Sequence, residues 1–218
     1  MSQFLGKVRE LRSDLSEWLV HFTKGTRDQA STALSKILSE SCLRSSPSSR
    51  VICFSEAPLK EWNKLFGLCD AYPVPRFSPY GIAVKKDWLF SKGGRPAIYG
   101  PESEYHEFPI SQRYRYVTYQ PGCDFTWLRE WRINTDELRV EPISSLVVVP
   151  DQEAALGLTC EPEVEYEYEG PDESSMSGFI KHEWYSLLLD QIATASIHQD
   201  TVIAKCMQEQ ELENNGDS

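Results

Sequence analysis

The chain is predicted to fold as an α+β protein, because helical periodicity fills its first third and strand patterns dominate the rest. Phe4, Val8, Leu11 and Leu15 recur at helical spacing, and so do Ala33, Leu34, Ile37 and Leu38. From Val51 onward most apolar segments are short and bounded by Pro, Gly or Ser. With 218 residues and 40% hydrophobic content, the chain can bury one substantial core.

Residues 3–17 read as an amphipathic helix, followed by a strand over Trp18–Thr23. Side chains alternate faces along a strand, so Trp18, Val20 and Phe22 point one way and Leu19, His21 and Thr23 the other. Thr26 or Asp28 caps a helix over 29–43, and Ser45–Ser49 is a loop by composition. Val51–Glu56 reads as a strand ended by Pro58, and 59–68 as a helix carrying Trp62, Leu65 and Phe66.

Pro73, Pro75 and Pro79 enforce an extended connection to a strand at Tyr80–Val84. Further strands are expected at Ala97–Tyr99, Tyr114–Tyr119, Trp127–Ile133 and Ser145–Val149. Around Tyr114–Tyr119, strand alternation would place Arg113 and Arg115 outward and Tyr114 and Tyr116 inward, and the alternative is that these arginines and Tyr114, Tyr116 and Tyr119 present guanidinium and ring faces to an anion or to bases. Ser145–Val149 is an apolar run after its opening serine, as in a strand covered on both faces. Beyond Pro150, Glu161–Glu169 alternates as an edge strand and 171–178 is a polar break. Phe179–Ile197 reads as a helix, and the end QEQELENNGDS as frayed.

Charge divides the chain. Residues 1–140 hold 20 Lys/Arg and 16 Asp/Glu, a net +4, while residues 141–218 hold 2 and 17, a net −15. Anionic ligands are therefore expected on the body, and the acidic residues 151–218 offer a surface for a basic protein partner. No apolar run reaches the length of a membrane span, and the charged N-terminus is unlike a signal peptide, so a cytoplasmic protein is expected. The six cysteines show no C-x-x-C pair or His at ligand spacing, so free thiols rather than a metal site are expected.

Three strand patterns carry polar groups among apolar neighbours: His21 with Thr23, Ser55 with Glu56, and Glu130 with Arg132. Burying such groups without partners costs a few kcal/mol each, so they sit where they are paired or used. Each has a plain structural use as well: a hydrogen-bonded His, a helix cap, and an i,i+2 ion pair on a strand.

The order Val20-His21-Phe22-Thr23, helix with Ile37-Leu38, Cys53-Phe54-Ser55-Glu56, Tyr80-Gly81-Ile82 and Arg129-Glu130-Trp131-Arg132 resembles the ADP-ribosyltransferase-like fold. More narrowly it is similar to bacterial abortive-infection proteins of the AbiGi type. The resemblance covers about residues 16–150. It implies a mixed, mostly antiparallel split sheet in an ADP-ribosyltransferase-like domain over 1–155, and an acidic C-terminal extension over 156–218. That extension is expected to pack one strand and one helix on the body and to end in a disordered tail.

The resemblance also implies binding of NAD and transfer of ADP-ribose to a macromolecular acceptor, protein or nucleic acid, in phage defence. Glu130 matches the late-strand catalytic glutamate, and His21 the first-strand residue that fixes the cofactor ribose, with Thr23 beside it. Ser55 matches a positioning serine, Arg129 or Arg132 would orient Glu130 or hold a phosphate, and Tyr80 or Tyr99 would stack on nicotinamide. The chain departs from the pattern at Phe54-Ser55, where members with a first-strand His usually carry Tyr. The alternative on the same fold is a non-catalytic, antitoxin-like interaction protein acting through its acidic end.

Overall fold

The computed structural model describes residues 2–12, 14–122, 124–168 and 174–215. Helix α1 spans Ser2–Leu11, with Phe4 and Leu11 exposed rather than packed. Strand β1 (Trp18–Phe22) leads to helix α2 (Arg27–Glu40), which Thr26 opens through a capping box with Gln29. Short strand β2 (Cys42–Arg44) precedes β3 (Val51–Ser55), helix α3 (Leu59–Cys69), β4 (Gly81–Lys85) and α4 (Lys86–Ser91). Strands β5 (Arg95–Pro96), β6 (Ile98–Gly100), β7 (Tyr116–Thr118), β8 (Glu130–Asn134), β9 (Glu137–Arg139) and β10 (Ser145–Val149) follow. The back end contributes α5 (Gln152–Thr159), the hairpin β11 (Cys160–Tyr168) and β12 (Ser174–His182), β13 (Ser186–Leu188), α6 (Leu189–Thr194) and α7 (Gln199–Asn215).

The architecture is mixed α and β around a mostly antiparallel sheet. Seven strands run in the order β13-β10-β4-β1-β3-β8-β5, with β13 alone parallel to its neighbour β10. Alternation along the strands divides the core between two faces. Leu19, Ile52, Phe54, Ile82, Val84, Ile133, Val147 and Val149 pack with Leu34 and Leu38 of α2 and Leu89 of α4. On the other face Trp18, Val20, Phe22, Ala83, Leu146 and Val148 pack with Trp62 and Phe66 of α3, Ile192 of α6 and Ile203 of α7. All five residues of β10 are buried, as its unbroken apolar run predicts. This second cluster contains no residue of β3 or β8, whose side chains on that face, Cys53, Ser55, Glu130 and Arg132, line a cleft instead.

Several sequence expectations are corrected. Phe179–Ile197 is not one helix: residues through His182 pair with β11 over nine rungs, and only Leu189–Thr194 is helical. Cross-strand pairing has overridden a helix-compatible spacing. Of the polar break read at 171–178, residues 171–173 lie outside the described residues and Ser174–Gly178 belong to β12. The Glu161–Glu169 strand is present as far as Tyr168, and the side chains of 161–182 lie outside the described residues.

The end read as frayed continues α7 to Asn215, anchored by buried Val202, Ile203, Cys206 and Gln210, while residues 216–218 lie outside the described residues. Thus the segment after residue 156 supplies a strand of the main sheet and part of its second core face. The strand expected at Tyr114–Tyr119 is present as β7 from Tyr116, but Arg113, Tyr114 and Arg115 belong to a 3-10 turn over Ile110–Arg115, because Pro109 opens it and Arg113 donates to the carbonyls of Phe108 and His106. Trp127 and Leu128 likewise belong to a 3-10 turn before β8. Among the described residues Cys42, Cys53, Cys69, Cys160 and Cys206 form no disulfide, and Cys123 lies outside them. No group of His, Cys, Asp and Glu among the described residues could hold a metal ion, and no helix among them is long and apolar enough to cross a membrane.

Candidate functional site

The sheet opens between β1 and β3. Strand β1 pairs with β4 over five rungs, and β3 with β8 over five, but β1 and β3 share only the pair Val20 and Ser55. Beyond that pair the ladder parts. The Cys53 carbonyl there accepts a hydrogen bond from His21 Nδ1 at 2.8 Å. A carbonyl only accepts, so Nδ1 carries the proton and the neutral ring keeps Nε2 as an acceptor. Burial pushes the His21 pKa down from its ordinary value. The Cys53 hydrogen bond opposes this, and the nearby Lys24 charge adds to it.

A cleft of about 440 Å³ lies at this opening. Its floor is the face of β3 and β8 that the helices leave bare. Cys53 stands opposite Arg132 and Ser55 opposite Glu130, so all four share that face, while Phe54, Trp131 and Ile133 turn to the core. His21, Cys53, Ser55, Glu130 and Arg132 all line the cleft, with Lys24, Arg44, Arg76 and Phe125 in its wall.

Glu130 is held rather than free. Arg132 donates from Nη2 to its Oε2 at 3.1 Å, and Nε lies 3.1 Å from Oε1, with the two side chains 12% and 20% exposed. Arg132 is itself fixed by donating from Nη1 to the Tyr116 and Tyr114 carbonyls. Burial, the Glu130 charge and a hydrogen bond to Glu130 push the Cys53 thiol up to about 12, so it remains a protonated donor. The carboxylate thus sits between a guanidinium and a thiol.

Ser55 holds the approach to β8. Its hydroxyl donates to the Leu128 carbonyl at 2.7 Å and accepts the Ala57 amide at 3.1 Å. The next residue, Arg129, takes a left-handed backbone (φ 46°), uncommon for a residue other than Gly. Its guanidinium turns away from Glu130 to the carboxylate and carbonyl of Asp14. Of the two arginines expected to orient Glu130, only Arg132 touches it. Arg12 and Arg129 together hold the Asp14 carboxyl well below the usual carboxylate range.

The other expected residues stand elsewhere. Thr23 is buried, its hydroxyl donating to the Tyr80 carbonyl, and neither Thr23 nor Tyr80 lines the cleft. Tyr80 packs against the first core cluster. The Tyr99 hydroxyl donates to the Phe125 carbonyl, and burial with the Glu130 charge pushes its pKa up to about 12. Glu56 accepts from Lys86 at 2.6 Å and from the Trp131 indole at 2.9 Å, a local knot outside the cleft.

Sequence reasoning passed over Cys53, Lys24, Arg76 and Phe125. Cys53 could have been found, since it shares the alternation of Ser55 in β3. The other three lie outside the strands and helices, where no periodicity marks them. Compared with protein-family models, curated proteins and solved structures, the chain matches none.

Proposed function

We propose that this cleft binds NAD and that the chain is an ADP-ribosyltransferase-like enzyme transferring ADP-ribose to a macromolecular acceptor. One observation carries the reading: His21 and Glu130, remote in sequence, line the same cleft beside a split in the sheet. The volume lies within the range of small-molecule sites, and the charged side chains lining it are cationic except for Glu130, in a protein of net charge −11. The resemblance to abortive-infection proteins supplies phage defence as the setting.

Breaking the bond between nicotinamide and ribose leaves its electron pair on nicotinamide and builds positive charge at the ribosyl carbon. A carboxylate fixed beside that carbon stabilises the charge, which is the role proposed for Glu130. Arg132 keeps the carboxylate in place without a search through rotamers. Neutral His21, with Nδ1 tied to Cys53, offers Nε2 to a ribose hydroxyl. The acceptor's nucleophile then bonds to the ribosyl carbon and gives up its proton. The alternative, an antitoxin-like interaction protein working through residues 151–218, is supported by their acidic composition alone.

The test is nicotinamide release from NAD, with and without candidate acceptors, by the wild type and by Glu130→Gln. Gln keeps an acceptor for Arg132 but removes the charge, so release is expected to fall about 10²–10³-fold, the scale of losing one electrostatic contact to a transition state. Equal release by both proteins would remove Glu130 from the chemistry.

A further inference from the structure

Four cations and one carboxylate line the cleft. Arg132 is paired with Glu130, and Arg44 with Glu40 and Glu137. Lys24 and Arg76 remain, and neither makes an ion pair or a side-chain hydrogen bond to any described residue.

Their proximity is built into the backbone. The Ser78 amide donates to the Thr23 carbonyl at 3.0 Å, and the Gly25 amide to the Pro75 carbonyl at 3.0 Å. Lys24 and Arg76 therefore sit on two segments tied to each other on either side of them. Like charges so placed repel, a cost that an anion bound between them would offset. Arg76 is also preorganised. Its guanidinium lies 4.5 Å from the centroid of the Phe125 ring, which engages one face and leaves the N–H edge available. The Phe125 turn is itself fixed, since Asp124 accepts from the Thr126 amide and hydroxyl.

We infer that Lys24 and Arg76 form a phosphate subsite of the cleft, an inference that rests on the proposed reading of the cleft as a nucleotide site. The five N–H donors of an Arg and three of a Lys suit phosphate oxygens, and two positive charges match the two negative charges of a dinucleotide's diphosphate. The same chemistry would hold the backbone phosphates of a single-stranded nucleic acid acceptor.

The experiment is calorimetric titration of the full chain with ADP and, separately, with oligothymidylate. Wild type is compared with Lys24→Gln, Arg76→Gln and the surface control Lys60→Gln. Lys24 and Arg76 are exposed, so both variants should melt with the wild type. Each is expected to weaken ADP binding roughly tenfold or more and to flatten its salt dependence, with Lys60→Gln unchanged. If oligothymidylate alone shows this dependence, the subsite stands and nucleic-acid phosphate is its ligand. Equal binding by wild type and both variants, or no binding of either probe, overturns the inference. The outcomes separate from the transfer reaction: ADP binding that needs Lys24 and Arg76 without any cleavage of NAD would sink only the proposed enzyme. Cleavage indifferent to both cations would sink only the subsite.

Discussion

Replacing Arg132 with Met tests whether the cleft is organised around the ion pair with Glu130. Met fills much of the arginine stem's volume but brings no charge and no donor. The substitution leaves the Glu130 carboxylate, 12% exposed, without its cation, and the Tyr114 and Tyr116 carbonyls without the Nη1 donor. Breaking a fully buried pair from one side costs about 3–5 kcal/mol, and an exposed pair about 0–1. With both partners largely but not wholly buried, the expected loss is about 3 kcal/mol. For a chain of this length that corresponds to a melting temperature roughly 6–12 °C lower.

Glu130→Gln in the same background should return part of that stability, because the uncompensated charge is gone. The coupling in the double-mutant cycle should be about 2 kcal/mol. Urea denaturation with linear extrapolation measures all four proteins. A loss under about 1 kcal/mol for Arg132→Met, or strictly additive single changes, would refute the idea that this pair organises the cleft.

Other outcomes follow from the same structure. His21 has a folded pKa below its ordinary 6.5, so the unfolded chain binds its proton first. Its contribution to stability is therefore present above about pH 6.5 and lost as the pH falls below it. Relative to His21→Gln, the wild type should lose stability between about pH 6.5 and 5, and a difference flat across that range would count against a neutral, buried imidazole. The Cys53 thiol, pushed up to about 12, should resist iodoacetamide at pH 8 in the folded protein. Mass spectrometry finding it alkylated as fast as in the unfolded chain would contradict its donor role at Glu130. Gln210 accepts the Ser186 amide at 2.7 Å and donates to the Ser186 carbonyl at 2.8 Å. Gln210→Ala should cost about 2–5 kcal/mol by leaving both groups unpaired, and a loss below about 1 kcal/mol would show that water replaces the amide.

The residues of the cleft floor were readable in the sequence as a pattern. In β8 the polar Glu130 and Arg132 alternate with Trp131 and Ile133, and in β3 Cys53 and Ser55 alternate with Ile52 and Phe54. Period two puts each polar pair on one face. That pattern could not say whether the polar face meets solvent, a helix or a ligand. The helices α3, α6 and α7 decide it by covering only β13, β10, β4 and β1 on that side.

Elements of two or three residues, such as β2, β5 and β9, were missed because no periodicity can be established over so few positions. The Arg-Tyr alternation of 113–116 misled for a related reason. It has the period of a strand, but Pro109 and the bonds of Arg113 to two carbonyls favour a tight turn. The second half of helix α7 was read as frayed because the helix's apolar anchors are few and lie mainly in its first half, where only their burial against α3 and α6 gives them weight.

By itself, then, the sequence determined the α+β class, the main strands and the alternation that puts Glu130 with Arg132, and Cys53 with Ser55, on one face of their strands. Local sterics and side-chain period act over a few residues and can be read from them. The tertiary structure alone decided that β1 and β3 part after one pair, that Arg132 and not Arg129 holds Glu130, and that Lys24 and Arg76 come together without a counter-charge among the described residues. Each of those depends on contacts between segments distant in the chain, whose geometry is set by how the core packs.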